Sequence, residues 1–167
     1  MPDWLTHVLI VYSVCLILSR RCVWLSPPYV AVAMGGALLP DVSKLNLLVS
    51  PYAIRQTLDI PFSWTGLHTT GGVVLGSLVG GVLTSAEHRS RVVALLLLGG
   101  ASHLVADAFL RTPTGGSYPL LWPITDYAPQ TPGLYLSTDP APTAVALGIA
   151  VALTLLGRDD SDGTDDR

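Results

Sequence analysis

The sequence predicts an all-α, polytopic membrane bundle of about five helices, with a long Pro/Gly/aromatic loop before the last of them. Three observations carry that expectation. Half of the 167 residues are hydrophobic, 13% are charged, and the mean hydropathy is +0.51, a balance foreign to ordinary soluble domains. The charges that exist avoid five apolar runs, at 5–19, 22–39, 66–85, 92–110 and 141–157. The middle three approach the ~20 residues that an α-helix needs to cross a bilayer, and the first and last are shorter.

The first run follows "MPDWLTH", which has an acid and no Lys or Arg, and precedes "SRR" at 19–21. That is the reverse of the charge order of a cleavable or twin-arginine signal, so the run reads as a retained helix. The second run ends at "LLPDVSK", the third opens with "GLHTTGG", and the fourth holds "GGASHLVADAF". Between the second and third, residues 42–65 have room for a short amphipathic helix. Before the fifth lies "RTPTGGSYPLLWPITDYAPQTPGLYLSTDPAP", too polar and broken to span. Its aromatics suit a membrane interface and its length suits a lid over one end of the bundle, although an anchor without chemistry fits equally well. Five of the twelve acids fall in the last nine residues, so 1–157 reads as one membrane-embedded helical domain and 158–167 as an acidic disordered tail. Eight Arg against one Lys, with little Glu, resemble a salt-adapted, archaeal composition.

Several function classes are excluded. There is no basic stripe interleaved with aromatics, so nucleic acid is not an expected partner. Cys15 and Cys22 have no redox or metal spacing and read as small hydrophobes. The basic loops "SRR" and "EHRSR" alternate with loops of balanced charge, which by the positive-inside rule puts the N-terminus outside and the acidic C-terminus in the cytoplasm.

Alternating spans bring His7, Asp41, His68, His103 and Asp107 to one membrane face, the extracytoplasmic one in that orientation. His88 lies alone at the opposite face, in a basic turn, and reads as solvated. Each group continues a face of small residues: Ala33 and Ala37 before Asp41, Gly99 before His103 and Asp107, and Gly72, Gly76 and Gly80 after His68. A fifth-run stripe, Ala144, Gly148 and Ala152, completes the pattern of close packing. Ionisable groups at membrane depth are costly unless paired. Neutral imidazoles and carboxylates form a ligand set for a divalent metal, Zn²⁺ first and Mn²⁺ or Fe²⁺ compatible, and His103 and Asp107 at i, i+4 can reach one ion from one helix. The plainer reading is interhelical hydrogen bonding without a metal.

These residues also carry a resemblance. "THVL", "GALLPDVSK", "LHT" and "GASHLVADAFLRTPTGG" followed by "YPLLWP" resemble the family of LexA-binding, inner membrane-associated hydrolases, over most of residues 1–125. The resemblance implies a metal-dependent hydrolase, with His7, Asp41, His68, His103 and Asp107 as its metal-binding positions. Their order is also similar in spacing to that of the zinc-dependent phospholipase C and nuclease superfamily. At the third helix the family often has a His-Arg pair, where this chain reads "SWTGLHT"; Ser63 and Trp64 replace it, so Arg111 or Lys44 would have to supply an anion clamp.

The expected function is hydrolysis by water activated on a His/Asp-held metal, with Asp41 or Asp107 as general base and Asp3 orienting His7. Expected partners are membrane lipid and a small-molecule or lipid substrate, with phosphoesters, esters and amides all fitting the chemistry. The competing expectation is a non-enzymatic scaffold or carrier whose His/Asp cluster, with or without metal, fixes helix packing.

Overall fold

The computed structural model describes residues 4–112, 115–117 and 119–162, with side chains described as far as Gly157. The regular elements among the described residues are all helical. Six α-helices, α1 (Trp4–Ser19), α2 (Pro27–Gly36), α3 (Pro51–Leu58), α4 (Thr70–Val82), α5 (Arg89–Asp107) and α6 (Ala141–Asp162), are joined by two 3-10 segments, Pro40–Leu47 and Trp64–His68. Among the described residues there is no strand, only the isolated bridges Leu110 to Tyr135 and Gly116 to Gln130.

Helix α5 is the axis. It packs between α2 and α4, while α1 lies against α2 and α5 and receives α6 on its other side. The closest backbone approach is that of α2 to α5. A Cβ on Gly99 would strike the Ala33 carbonyl oxygen and lie 2.5 Å from the Ala37 nitrogen, and one on Gly36 would lie 2.6 Å from the Leu96 oxygen. Only hydrogen at these positions lets the two backbones meet. Val11, Cys15, Leu25, Ala33, Ala37 and Leu95 fill the core beneath that crossing.

Of the five expected runs, only α5, at 19 residues, is long and apolar enough to cross a membrane by itself. Helices α1 and α4 and the Ala141–Gly157 part of α6 are shorter apolar helices. The run expected at 22–39 is α-helical over Pro27–Gly36 alone. Pro27 and Pro28 lack amide donors and fit only a first helical turn, so the helix cannot begin earlier. The short helix expected within 42–65 is α3, capped by the Ser50 hydroxyl, which accepts from the Tyr52 amide.

The glycine and alanine stripes behave unequally. Gly76 and Gly80 face the side chains of Leu39 and Leu96, whereas Gly72 packs on the backbone of Gly66 and Leu67, immediately before its own helix. On α6 the expected face is wrong: Ala144, Gly148 and Ala152 are exposed, and Ala146 and Ala150 are buried against α1. Hydrogen bonds between the hydroxyls of Thr6 and Thr143 and of Tyr12 and Thr154 fix that register. The helix continues past the expected start of the acidic tail to Asp162, and residues 163–167 lie outside the described residues.

Candidate metal centre

Four elements deliver the five predicted residues to one end of the bundle. His7 comes from the first turn of α1, Asp41 from the 3-10 segment after α2, His68 from the last position of the second 3-10 segment, and His103 and Asp107 from the final turns of α5. All five are buried, at 0–5% exposure. Asp3, expected to orient His7, lies outside the described residues.

Asp107 is the hub. Its Oδ2 is 2.8 Å from His68 Nε2 and 3.4 Å from His103 Nε2, and its Oδ1 is 3.5 Å from His7 Nε2. The backbone fixes two of the three imidazoles. The His103 Nδ1–H donates to the Ala37 carbonyl at 2.7 Å, and the His68 Nδ1–H donates to the Pro40 carbonyl at 3.3 Å. A neutral imidazole has one N–H, so the His103 ring, its Nδ1–H committed to Ala37, turns its Nε2 lone pair toward a carboxylate oxygen, whereas His68 Nε2 is hydrogen-bonded to Asp107 Oδ2. Lone pair facing lone pair requires a proton or a cation between them. His7 stacks on His103, with ring centroids 3.7 Å apart and planes at 15°, and neither of its ring nitrogens has a hydrogen-bond partner among the described residues.

Asp41 completes the cluster from the other side. Its Oδ2 accepts from Lys44 Nζ at 2.8 Å, while its Oδ1 has no hydrogen bond and lies 3.9 Å from His103 Nε2. Asp107 Oδ1 and His103 Nε2 are likewise without hydrogen-bond partners among the described residues. Buried polar atoms are rarely left so, and five of them gather in this one cluster, which makes it a candidate ligand site. Two triads have ligand atoms within 4.8 Å of one another: His7, His103 and Asp107, and Asp41, His68 and His103. Bonds of about 2.1 Å to a tetrahedral zinc put ligand atoms roughly 3.4 Å apart; Asp107 Oδ1 is 3.5 Å from His7 Nε2 and its other oxygen, Oδ2, is 3.4 Å from His103 Nε2.

The described parts of the long loop are fastened on both flanks of the cluster. The Thr70 and Gly71 amides, at the start of α4 just past His68, donate to the carbonyls of Leu120 and Trp122 at 2.8 Å each. Beyond Asp107, the Leu134 amide donates to Phe109 and the Arg111 amide to Tyr135. The Tyr135 hydroxyl donates to the Ala106 carbonyl; burial, with the Asp107 charge nearby, pushes this phenol up to about 12.

Sequence reasoning did not foresee the Tyr135 contact or the Ala37 and Pro40 carbonyls. The Asp41–Lys44 pair was detectable from its i, i+3 spacing. The positions that differ from the resembled family have structural work here: the Ser63 hydroxyl accepts from the Thr65 amide, and the Trp64 indole donates to the Val49 carbonyl. Arg111 is engaged with the Gly133 carbonyl, which leaves Lys44 as the cation bound to the cluster. At the far end of the molecule His88 is exposed but not merely solvated, because its Nδ1 is 2.8 Å from the Tyr29 hydroxyl.

No curated protein and no solved structure is similar enough to match this chain. A family model does, over residues 1–163, nearly the whole length and all five clustered residues, and the chain therefore belongs to the YdjM inner membrane protein family.

Proposed function

We propose that this inner-membrane protein is a polytopic helical bundle whose His/Asp cluster holds one divalent metal, zinc by preference, and acts as a hydrolase. The observation that carries this reading is the set of buried ring nitrogens and carboxylate oxygens, on His7, His103, Asp41 and Asp107, that face one another without a hydrogen-bond partner among the described residues. His7, His103 and Asp107 supply ligand atoms that lie within 4.8 Å of one another. His68 steadies Asp107. One ion is favoured over two because both candidate triads need His103, whose Nδ1 is committed to Ala37 and whose Nε2 has a single lone pair.

A bound divalent metal makes water acidic and polarises the scissile oxygen. The chain's own groups do the rest. Lys44 fixes the carboxylate of Asp41 through Oδ2, and the Asp41 Oδ1 left facing the cluster takes the proton of the attacking water. The fastened loop keeps bulk water out. By the positive-inside reading of the loops the site faces the extracytoplasmic side. The short 2.8 Å contact of His68 with Asp107 favours one competing reading, a purely structural hydrogen-bonded network.

Metal analysis of purified protein separates the two. The wild type should carry close to one transition metal per chain without chelators, and a His103→Ala, Asp107→Ala double variant should carry none. A wild type without stoichiometric metal would leave the structural network as the better account. His68→Gln should retain protein yield while abolishing turnover in a phosphoester and ester screen.

A further inference from the structure

An apolar groove of about 490 Å³ runs along the 3-10 segment beside the cluster, lined by Trp4, Leu38, Val42, Leu45, Leu47 and Leu48, with Asp41 and Lys44 at its polar edge. The volume falls within the ~300–1,000 Å³ of small-molecule sites. The outer wall is unusual for a connecting segment, since Leu47 and Leu48 are 82% and 83% exposed. The groove's single cation is held in place on two sides. Lys44 Nζ donates to Asp41 Oδ2 at 2.8 Å and lies 5.3 Å from the centre of the Trp4 ring, and its side chain remains one-third exposed. An ammonium has three donors, so Asp41 does not exhaust it. A ligand that suits this groove is therefore long, apolar and anionic at one end, and that end lies next to the buried cluster.

We propose that the groove seats a membrane glycerophospholipid, one acyl chain along Val42, Leu45 and Leu48 and the phosphate on the Lys44 ammonium. This rests on the hydrolase reading for its consequence, that a phospholipid ester is the substrate. In that reaction the water oxygen bonds to phosphorus as the bond from phosphorus to the alcohol oxygen breaks, and the water proton passes to Asp41 Oδ1 and on to the departing alcohol. Lys44 is a positioning residue for Asp41 and a direct contact for the phosphate.

The test uses the full chain in a glycoside detergent with a phosphatidic acid that carries a diazirine on one acyl chain, or a diacylglycerol with the same chain. After illumination, the phosphatidic acid should label residues 42–48, and the diacylglycerol should label them on the order of tenfold less, the effect of one charge-assisted hydrogen bond. Lys44→Met should bring phosphatidic acid labelling down to the diacylglycerol level. Labelling of α6 around Leu147–Leu155, which borders an uncharged groove, should not change. Leu48→Trp, at an exposed position that tolerates bulk, should also block the label. Equal labelling by the two probes, or no effect of Lys44→Met, would overturn the proposal. So would full displacement by inorganic phosphate at the probe's own concentration, which would point to a free anion as the ligand. Metal content is read on the same preparations: metal without groove labelling defeats the lipid proposal alone, and labelling without metal defeats the hydrolase reading alone.

Discussion

Each end of α5 has a histidine, but under opposite conditions. At its start, exposed His88 and Arg91 meet half-buried Tyr29, with the Arg91 guanidinium 5.4 Å from the Trp24 ring and 3.4 Å from the Tyr29 hydroxyl. Water can satisfy whatever these groups leave unpaired. At its end, His103 and Asp107 are buried with three other ionisable residues, and several of their polar atoms have no hydrogen-bond partner among the described residues. The histidine at the open end is paired with the Tyr29 hydroxyl and can reach water, whereas His103 Nε2 at the closed end has no hydrogen-bond partner among the described residues. Burial, rather than residue identity, makes the second cluster a candidate site.

The sharpest way to break this contrast is Asp107→Asn, which keeps shape and removes the charge that three imidazoles face. Metal content should fall to background, and thermal unfolding in detergent should register a loss of about 3–5 kcal/mol, the usual effect of removing one member of a buried charged cluster. A variant that keeps both metal and stability would show that the buried end is as indifferent to charge as the open one.

Gly99→Ala tests whether close backbone packing builds the site. The added methyl collides with the Ala33 carbonyl and would push α2, with the Ala37 carbonyl, away from His103. Overpacking of this kind costs about 1–3 kcal/mol, and metal affinity should fall with it even though no ligand is touched. Unchanged affinity would mean that His103 does not need its carbonyl partner.

Thr70→Val should have a smaller effect. It deletes the hydroxyl that donates to Leu120 and leaves the two backbone bonds of the strap, so it should cost about 1 kcal/mol and speed proteolysis within 111–140. His88→Ala closes the series. An exposed substitution should stay within roughly 0.5 kcal/mol and leave metal content unchanged. A larger effect there would erase the distinction between the two ends.

The cluster was legible because charged residues at the ends of apolar helices have few places to go. Once the runs alternate, His7, Asp41, His68, His103 and Asp107 must share an end, whatever the exact helix lengths. The packing faces were less legible. Helix α6 has small residues on more than one side, with Ala144, Gly148 and Ala152 competing with Ala146 and Ala150, and periodicity alone cannot choose between them. The choice is made by Thr143 and Thr154, whose hydroxyls find Thr6 and Tyr12 across the interface. The shortness of α2 was written in Pro27 and Pro28, but hydropathy averages over them. The Tyr135 contact could not be read at all, because it depends on where a loop returns to the chain some thirty residues after Asp107.

The cluster draws its parts from almost the first helical residue and almost the last of α5, which sets a schedule for its assembly. At about 5–20 residues per second, the hundred residues from His7 to Asp107 take roughly 5–20 s to synthesise. During that interval α1 waits with an imidazole whose partners do not yet exist. The early part of the chain therefore depends on its surroundings, on water or on the insertion machinery, until the ribosome has released α5. Slowing synthesis between Ser85 and Asp107 would lengthen that exposure without altering a single residue.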